Sequence, residues 1–252
     1  MGERRPSPPA EARVAGLRAL VRVYRRLRAR WRARGRCDYL RGVFVERIPP
    51  RSVRTVFELG CKDGADTVRL RDVFDAEVHA FECDPRMLPK ARRRLGGEPK
   101  IRLVEKAVWD RDGVVPFYVV ERAFEEGREV ENPGASSCFR ARHDYRVRYE
   151  QTEIAVEAIR LERYCAEAGV DSVDLLCMDI QGAELHALRG LGDRIEAVRF
   201  VVTEIERRPI YEGQSLFPEV DAYLRSRGFR RLVEVPRDPW FSDFLYAAGD
   251  VA

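Results

Sequence analysis

Histidine is scarce in this 252-residue chain, with three residues (His79, His143, His186), and methionine and tryptophan also number three each. So few imidazoles speak against a His-rich metal site. The six cysteines (37, 61, 83, 138, 165, 177) form no C-x-x-C pair and no regular framework. They read as reduced thiols of a cytoplasmic protein. No apolar run approaches the roughly 18–20 residues that a bilayer span needs. The opening MGERRPSPPAEARVAG has no apolar stretch of the kind a secretory signal carries. Lysine is absent from the first fifty residues, which hold fourteen Arg against four acids (Glu3, Glu11, Asp38, Glu46). That segment is therefore +10, and the remaining residues are −6, although the whole chain is only +4. A basic arm is joined to an acidic body.

What is present defines two parts. With 45% apolar residues the chain is too hydrophobic to be disordered overall. The roughly 200 residues beyond the arm suit one α/β domain with a full core. In the arm (1–50), a Pro-rich start precedes Val14, Leu17, Val21, Tyr24, Leu27 and Trp31, spaced as one apolar stripe on a helix. Pro49-Pro50 separates the arm from the body (51–252).

The body reads strand, helix, strand. Apolar strands are expected at 55–60, 77–84, 101–108, 172–179, 197–204, 229–235 and 244–248, with helices at 65–75, from Pro85 through Arg94, at 183–189 and at 216–227. This is a Rossmann-like seven-stranded, mostly parallel sheet with helices on both faces and an antiparallel last strand. Residues 113–160 break the rhythm with alternating strands at 114–120 and 153–159 around a polar 125–137 stretch. They read as an acceptor-side insertion containing a hairpin.

Chemistry concentrates at the strand ends. Glu58-Leu-Gly60-Cys-Lys-Asp-Gly64 follows the first strand and opens the first helix. Gly60 allows a tight turn, and Gly64 is expected to let a ligand approach the helix N-terminus. An acid before the first glycine suits a cationic group better than a pyrophosphate. Glu82, ending the second strand in Phe81-Glu82-Cys83-Asp84-Pro85, can accept hydrogen bonds from ribose hydroxyls. Asp179 ends a buried strand in Leu175-Leu-Cys-Met-Asp179-Ile-Gln-Gly182-Ala-Glu184. It can serve as general base, metal ligand or substrate anchor. Glu204 repeats the arrangement on the next strand.

At these residues the sequence resembles the FkbM-type methyltransferases, within the class I S-adenosylmethionine-dependent enzymes. The resemblance spans about residues 53–248. It rests on FELGCKDGADT (57–67), AFECDP (80–85), EKAVWDRDG (105–113), NPGASS (132–137), IRLERYC (159–165), DLLCMDIQGAELHALRGL (174–191) and VVTEIERRPIYEG (201–213). The commoner family version has Glu where Gln181 stands. The resemblance implies that Glu58, Gly60 and Gly64 line the amino-acid end of the cofactor. By the same resemblance Glu82 binds its ribose, and Lys106 and Ala107 lie at the adenine edge. Asp179 then faces the methyl-transfer site, with Asp179 and His143 as candidate bases and Ser136, Ser137, Gln181 and Glu204 as acceptor-side residues.

The implied activity is O-methyl transfer to a small-molecule hydroxyl, of a sugar or a natural-product scaffold. The alternatives are a larger acceptor, RNA or a membrane-associated glycan, and a non-catalytic cofactor-binding module. Mg2+ held by Asp179, Glu184 and Glu204 is conceivable but not favoured. The arm is first read as packing, as a cap on the crevice or in a homodimer, then as a peripheral membrane contact. Nucleic acid is the least favoured partner.

Overall fold

The chain begins its strand pattern with Thr-Val-Phe-Glu-Leu, and in the computed structural model, which describes residues 37–132 and 134–249, these form β1 (Thr55–Leu59). Parallel partners flank it: β2 (Glu77–Phe81) on one side and β8 (Val173–Met178) on the other. All six residues of β8 are buried, as expected of a parallel strand covered on both faces. The sheet extends through β3 (Ile101–Val104) beyond β2 and β9 (Val198–Glu206) beyond β8. Beyond β9 comes β11 (Phe241–Ala248), antiparallel to β9 and to β10 (Phe229–Pro236), which forms that edge of the sheet. The order is β10-β11-β9-β8-β1-β2-β3. Seven strands with the last one antiparallel are what the sequence pattern predicts.

Among the described residues, six helices accompany the strands: α1 (Gly42–Val45), α2 (Ala65–Phe74), α3 (Leu88–Leu95), α4 (Leu161–Ala168), α5 (Glu184–Gly190) and α6 (Phe217–Ser226). The main core joins Leu59, Leu176, Leu188, Val201, Leu224 and Phe244 across this sheet and its helices. One helix starts later than expected. Pro85 stands in a turn closed by Asp84, whose carbonyl accepts from Met87 and Leu88, so α3 opens at Leu88.

Residues 107–159 build a second sheet, ordered β4-β7-β5-β6. These strands are β4 (Ala107–Val108), β5 (Gly113–Glu125), β6 (Arg128–Val130) and β7 (Val147–Ile159). The expected hairpin is present but longer. Alternate burial of Val115, Phe117 and Val119 resumes at Ala123 after a register shift between Val120 and Arg122, and this carries β5 into the polar stretch.

The chain divides into Met1–Asp38 and Tyr39–Ala252, so the boundary falls ahead of Pro49-Pro50. Leu40, Phe44 and Ile48 are buried within the second unit, which holds residues 39–50 to the body. The apolar stripe at 14–31 lies outside the described residues. Among the described residues no helix is long and apolar enough to cross a membrane.

Candidate active site

The strand order reverses between β1 and β8, which is where open α/β sheets form a crevice at the carboxyl ends of their strands. Gly60, just past β1, has φ +83°, and a Cβ there would lie 2.2 Å from the Asp179 carbonyl oxygen. Only glycine lets these two strand ends meet so closely. Gly64 has φ +77°, but its missing Cβ makes room for Leu95 of α3 at 2.7 Å. That glycine lets α2 and α3 pack closely, and it lies off the cleft lining.

Two acids sit in the first half of the crevice. Glu58 is fully buried and accepts a 2.5 Å hydrogen bond from Thr67 Oγ1 on α2. Burial pushes its carboxyl up to about 8. Glu82 Oε2 accepts from the Lys62 N–H at 2.7 Å, and Oε1 accepts from the N–H groups of Cys83 (2.8 Å) and Asp84 (2.7 Å). These bonds fix its orientation and leave one of its four lone-pair sites for a further donor. Burial, the largest influence, raises Glu82 to about 7 against the pull of those N–H groups.

The second half is a network around the turn after β8. Gln181 adopts φ +54°, and its side chain bridges two groups. Its Nε2 donates to Asp179 Oδ1 at 2.5 Å, and its Oε1 accepts from the Tyr211 hydroxyl at 2.7 Å. Its carbonyl accepts from Ser137 Oγ at 2.7 Å. Behind the turn, Glu184 Oε1 accepts from the Ile180 N–H at 3.1 Å. Burial and nearby Asp179 raise the Glu184 carboxyl. Glu204 is likewise raised, by burial first and then by Asp179, Glu206 and Asp243. Tyr39, buried in the segment before α1, feels both Asp179 and Glu58, and burial raises its phenol.

Between these halves lies an open cleft. Of the residues singled out in the sequence, Gly60, Glu82, Lys106, Ala107, Ser136, Asp179 and Gln181 line it. Lys106 is paired with Glu157 at 2.8 Å. The Ser136 hydroxyl accepts from Arg86 Nη2 at 2.8 Å and from the Val120 N–H at 3.1 Å, which ties the second sheet to the first. Glu58, Gly64, Ser137 and Glu204 lie off the lining. Ser137 is buried as a support of the Gln181 turn, not as an acceptor contact. His143 is exposed ahead of β7 and does not reach the cleft, so the structure does not bring it to Asp179. Among the described residues no three His, Cys, Asp or Glu side chains gather as metal ligands.

The sequence reading passed over Lys62, Met87, Phe117 and Cys138 on the lining, and Arg86 and Tyr211 behind it. Arg86 was within reach of that reading, since it follows the AFECDP motif directly. Tyr211 was not, because its contact with Gln181 spans 30 residues.

A seven-stranded Rossmann-like sheet with acids at a switch-point cleft defines a nucleotide-fold protein. The profile of the methyltransferase FkbM domain matches residues 63–231, and the chain belongs to that family. The 2-O-methyltransferase NoeI of Sinorhizobium fredii is 32% identical over 164 residues, 63% of this chain and 66% of that protein, so the match spans just under two thirds of the relative. A pyridoxine/pyridoxamine 5′-phosphate oxidase of Rhodospirillum rubrum is 29% identical over 154 residues, 58% of this chain and 77% of that protein. Among solved structures, the Methanococcus jannaschii fibrillarin pre-rRNA processing protein aligns with a TM-score of 0.48 and 15% identity, covering 80% of this chain and 69% of that one.

Proposed function

We propose that this protein is an S-adenosylmethionine-dependent O-methyltransferase acting on a hydroxyl of a small molecule, a sugar or a natural-product scaffold. The observation that carries the reading is the cleft itself, where Glu82 and Asp179 face one space from the ends of β2 and β8. The donor set fits the cofactor. Glu82, held by three N–H groups, has a site left to accept from a ribose hydroxyl, and Phe81, Met87, Val108 and Phe117 would give apolar walls to the adenine. Asp179, on the lining, offers a carboxylate to the cationic methionine end. The hydroxyl class of acceptor takes support from the likeness to NoeI, whose name describes a 2-O-methyltransferase.

When bound, the cofactor supplies an electrophilic methyl group on sulfur. The chain's own task is to align the acceptor hydroxyl, exclude water and take up the hydroxyl proton. Asp179 is placed for that last role. Gln181 and, through it, Tyr211 hold its carboxylate in one orientation.

Transfer of a tritiated methyl group to neutral sugars and polyhydroxylated aromatics, with S-adenosylhomocysteine calorimetry in parallel, tests the reading. Asp179→Asn should lower kcat by about 100-fold or more, the range of general-base contributions, with product affinity within about threefold of wild type. Unchanged turnover would remove Asp179 from proton transfer. Absence of S-adenosylhomocysteine binding to the wild type would remove the methyltransferase reading altogether.

A further inference from the structure

Lysine is rare in this chain, with four among 46 basic residues (62, 90, 100 and 106), and two of the four, Lys62 and Lys106, line the cleft. The other cations around the cleft have acidic partners. Lys106 meets Glu157 at 2.8 Å, Arg86 meets Asp84 at 2.8 Å, and Arg94 is paired with Asp63. Lys62 makes no ion pair among the described residues.

The backbone of Lys62 is nevertheless held firmly. It stands at φ +58°, a conformation that disfavours residues with a Cβ, and its N–H is committed to Glu82 Oε2. From that fixed start the side chain runs across to the stretch before Ser136 in the second sheet. There Gly134 is matched to it: a Cβ on Gly134 would lie 2.5 Å from Lys62 Nζ and 2.9 Å from its Cε. The ammonium therefore lies where the glycine turn after β1 approaches the loop that carries Gly134 and Ser136. A cation with an anchored backbone, a cleared path and no acidic partner is suited to an oxyanion brought in by a ligand.

Resting on the methyltransferase reading above, we propose that Lys62 is the oxyanion-binding residue of this cleft. Its partner is a carboxylate, and two sources share that chemistry: the α-carboxylate of the cofactor, or an acidic group on the acceptor beside the methylated hydroxyl.

Lys62→Met keeps an unbranched chain and the N–H to Glu82 and removes the ammonium, while Lys62→Arg restores a cation. Two ligand pairs serve as probes. The first is S-adenosylhomocysteine against its decarboxylated analogue, 5′-S-(3-aminopropyl)-5′-thioadenosine, by calorimetry. The second is D-glucuronate against D-glucose on the S-adenosylhomocysteine-loaded protein, by ligand-observed NMR. If the carboxylate is the cofactor's, the wild type binds S-adenosylhomocysteine at least tenfold tighter than the analogue, and Lys62→Met erases that ratio. If it is the acceptor's, the wild type prefers glucuronate, Lys62→Met loses the preference with cofactor affinity intact, and Lys62→Arg recovers it. A folded Lys62→Met that matches wild type on both pairs overturns the proposal while leaving the methyltransferase reading standing. A wild type that fails to bind S-adenosylhomocysteine overturns both.

Discussion

Glu58 carries a cost that depends on pH. Buried behind the glycine turn, it keeps its proton in the folded chain up to about pH 8, whereas the ordinary value is 4.5. Between those limits the folded state holds more protons than the unfolded one, so stability falls as pH rises, by about 1.4 kcal/mol per unit for this group. Glu58→Gln keeps an acceptor for Thr67 and removes the slope. Its melting temperature should exceed that of wild type at pH 8, with the gap shrinking toward pH 5. A gap independent of pH in thermal denaturation would contradict the burial of an ionisable carboxyl there. At this scale the sequence was readable where an acid ends a strand, since strand direction alone places Glu82 and Asp179 at one end of the sheet. It singled out Gln181 but not the contacts this residue makes. Nothing local shows that its amide spans from Asp179 to Tyr211, or that Ser137 supports its carbonyl. His143 drew notice as an imidazole in the insertion, but residue type does not reveal which face of a hairpin a side chain takes.

Among the elements, the junction of β1 and β8 is the tightest. Gly60→Ala places a methyl 2.2 Å from the Asp179 carbonyl oxygen and forces φ +83° on a residue with a Cβ. Both strand ends must move apart, so the substitution should cost about 3 kcal/mol or more in chemical denaturation. It should also abolish binding of S-adenosylhomocysteine. A variant with wild-type stability would mean that the two ends are not held in contact. The strands and most helices of the body could be read from apolar runs and their spacing. Their exact ends could not, as in α3, where the Asp84 turn delays the helix past Pro85. The insertion was read as a short hairpin because polar residues at 125–137 look like loop, whereas the register shift after Val120 lets β5 continue through them.

At the scale of the molecule, Arg86 is one of the ties between the two sheets. From the turn before α3 it reaches Asp84, the Ser136 hydroxyl and the Val120 carbonyl oxygen. Arg86→Ala leaves Asp84 buried without its cation, a loss worth about 1–3 kcal/mol. Amide exchange should quicken in β5 and around Ser136 while β1 and β8 keep their protection. Equal acceleration everywhere would show that the arginine stabilises the molecule globally and does not specifically hold the second sheet in place. The division of charge also resolves at this scale. Part of the body's excess of acid lies at Glu82 and Asp179 on the cleft and at Glu58, Glu184 and Glu204 behind it, which burial or position sets apart from an ordinary solvated surface.

The second sheet leaves the first and returns to it at nearly one point. Ala107 and Val108 pair directly with Ala158 and Ile159, and the Trp109 N–H donates to the Ile159 carbonyl at 3.1 Å. A stretch whose two ends lie side by side behaves as an exchangeable cassette. It can lengthen, shorten or be replaced while the strands bearing Glu82 and Asp179 stay where they are. Grafting the 109–157 segment of another family member between Val108 and Ala158 should therefore leave the first sheet folded, while the wall that Phe117 gives to the cleft and the Arg86 contacts to Ser136 and Val120 change with the graft.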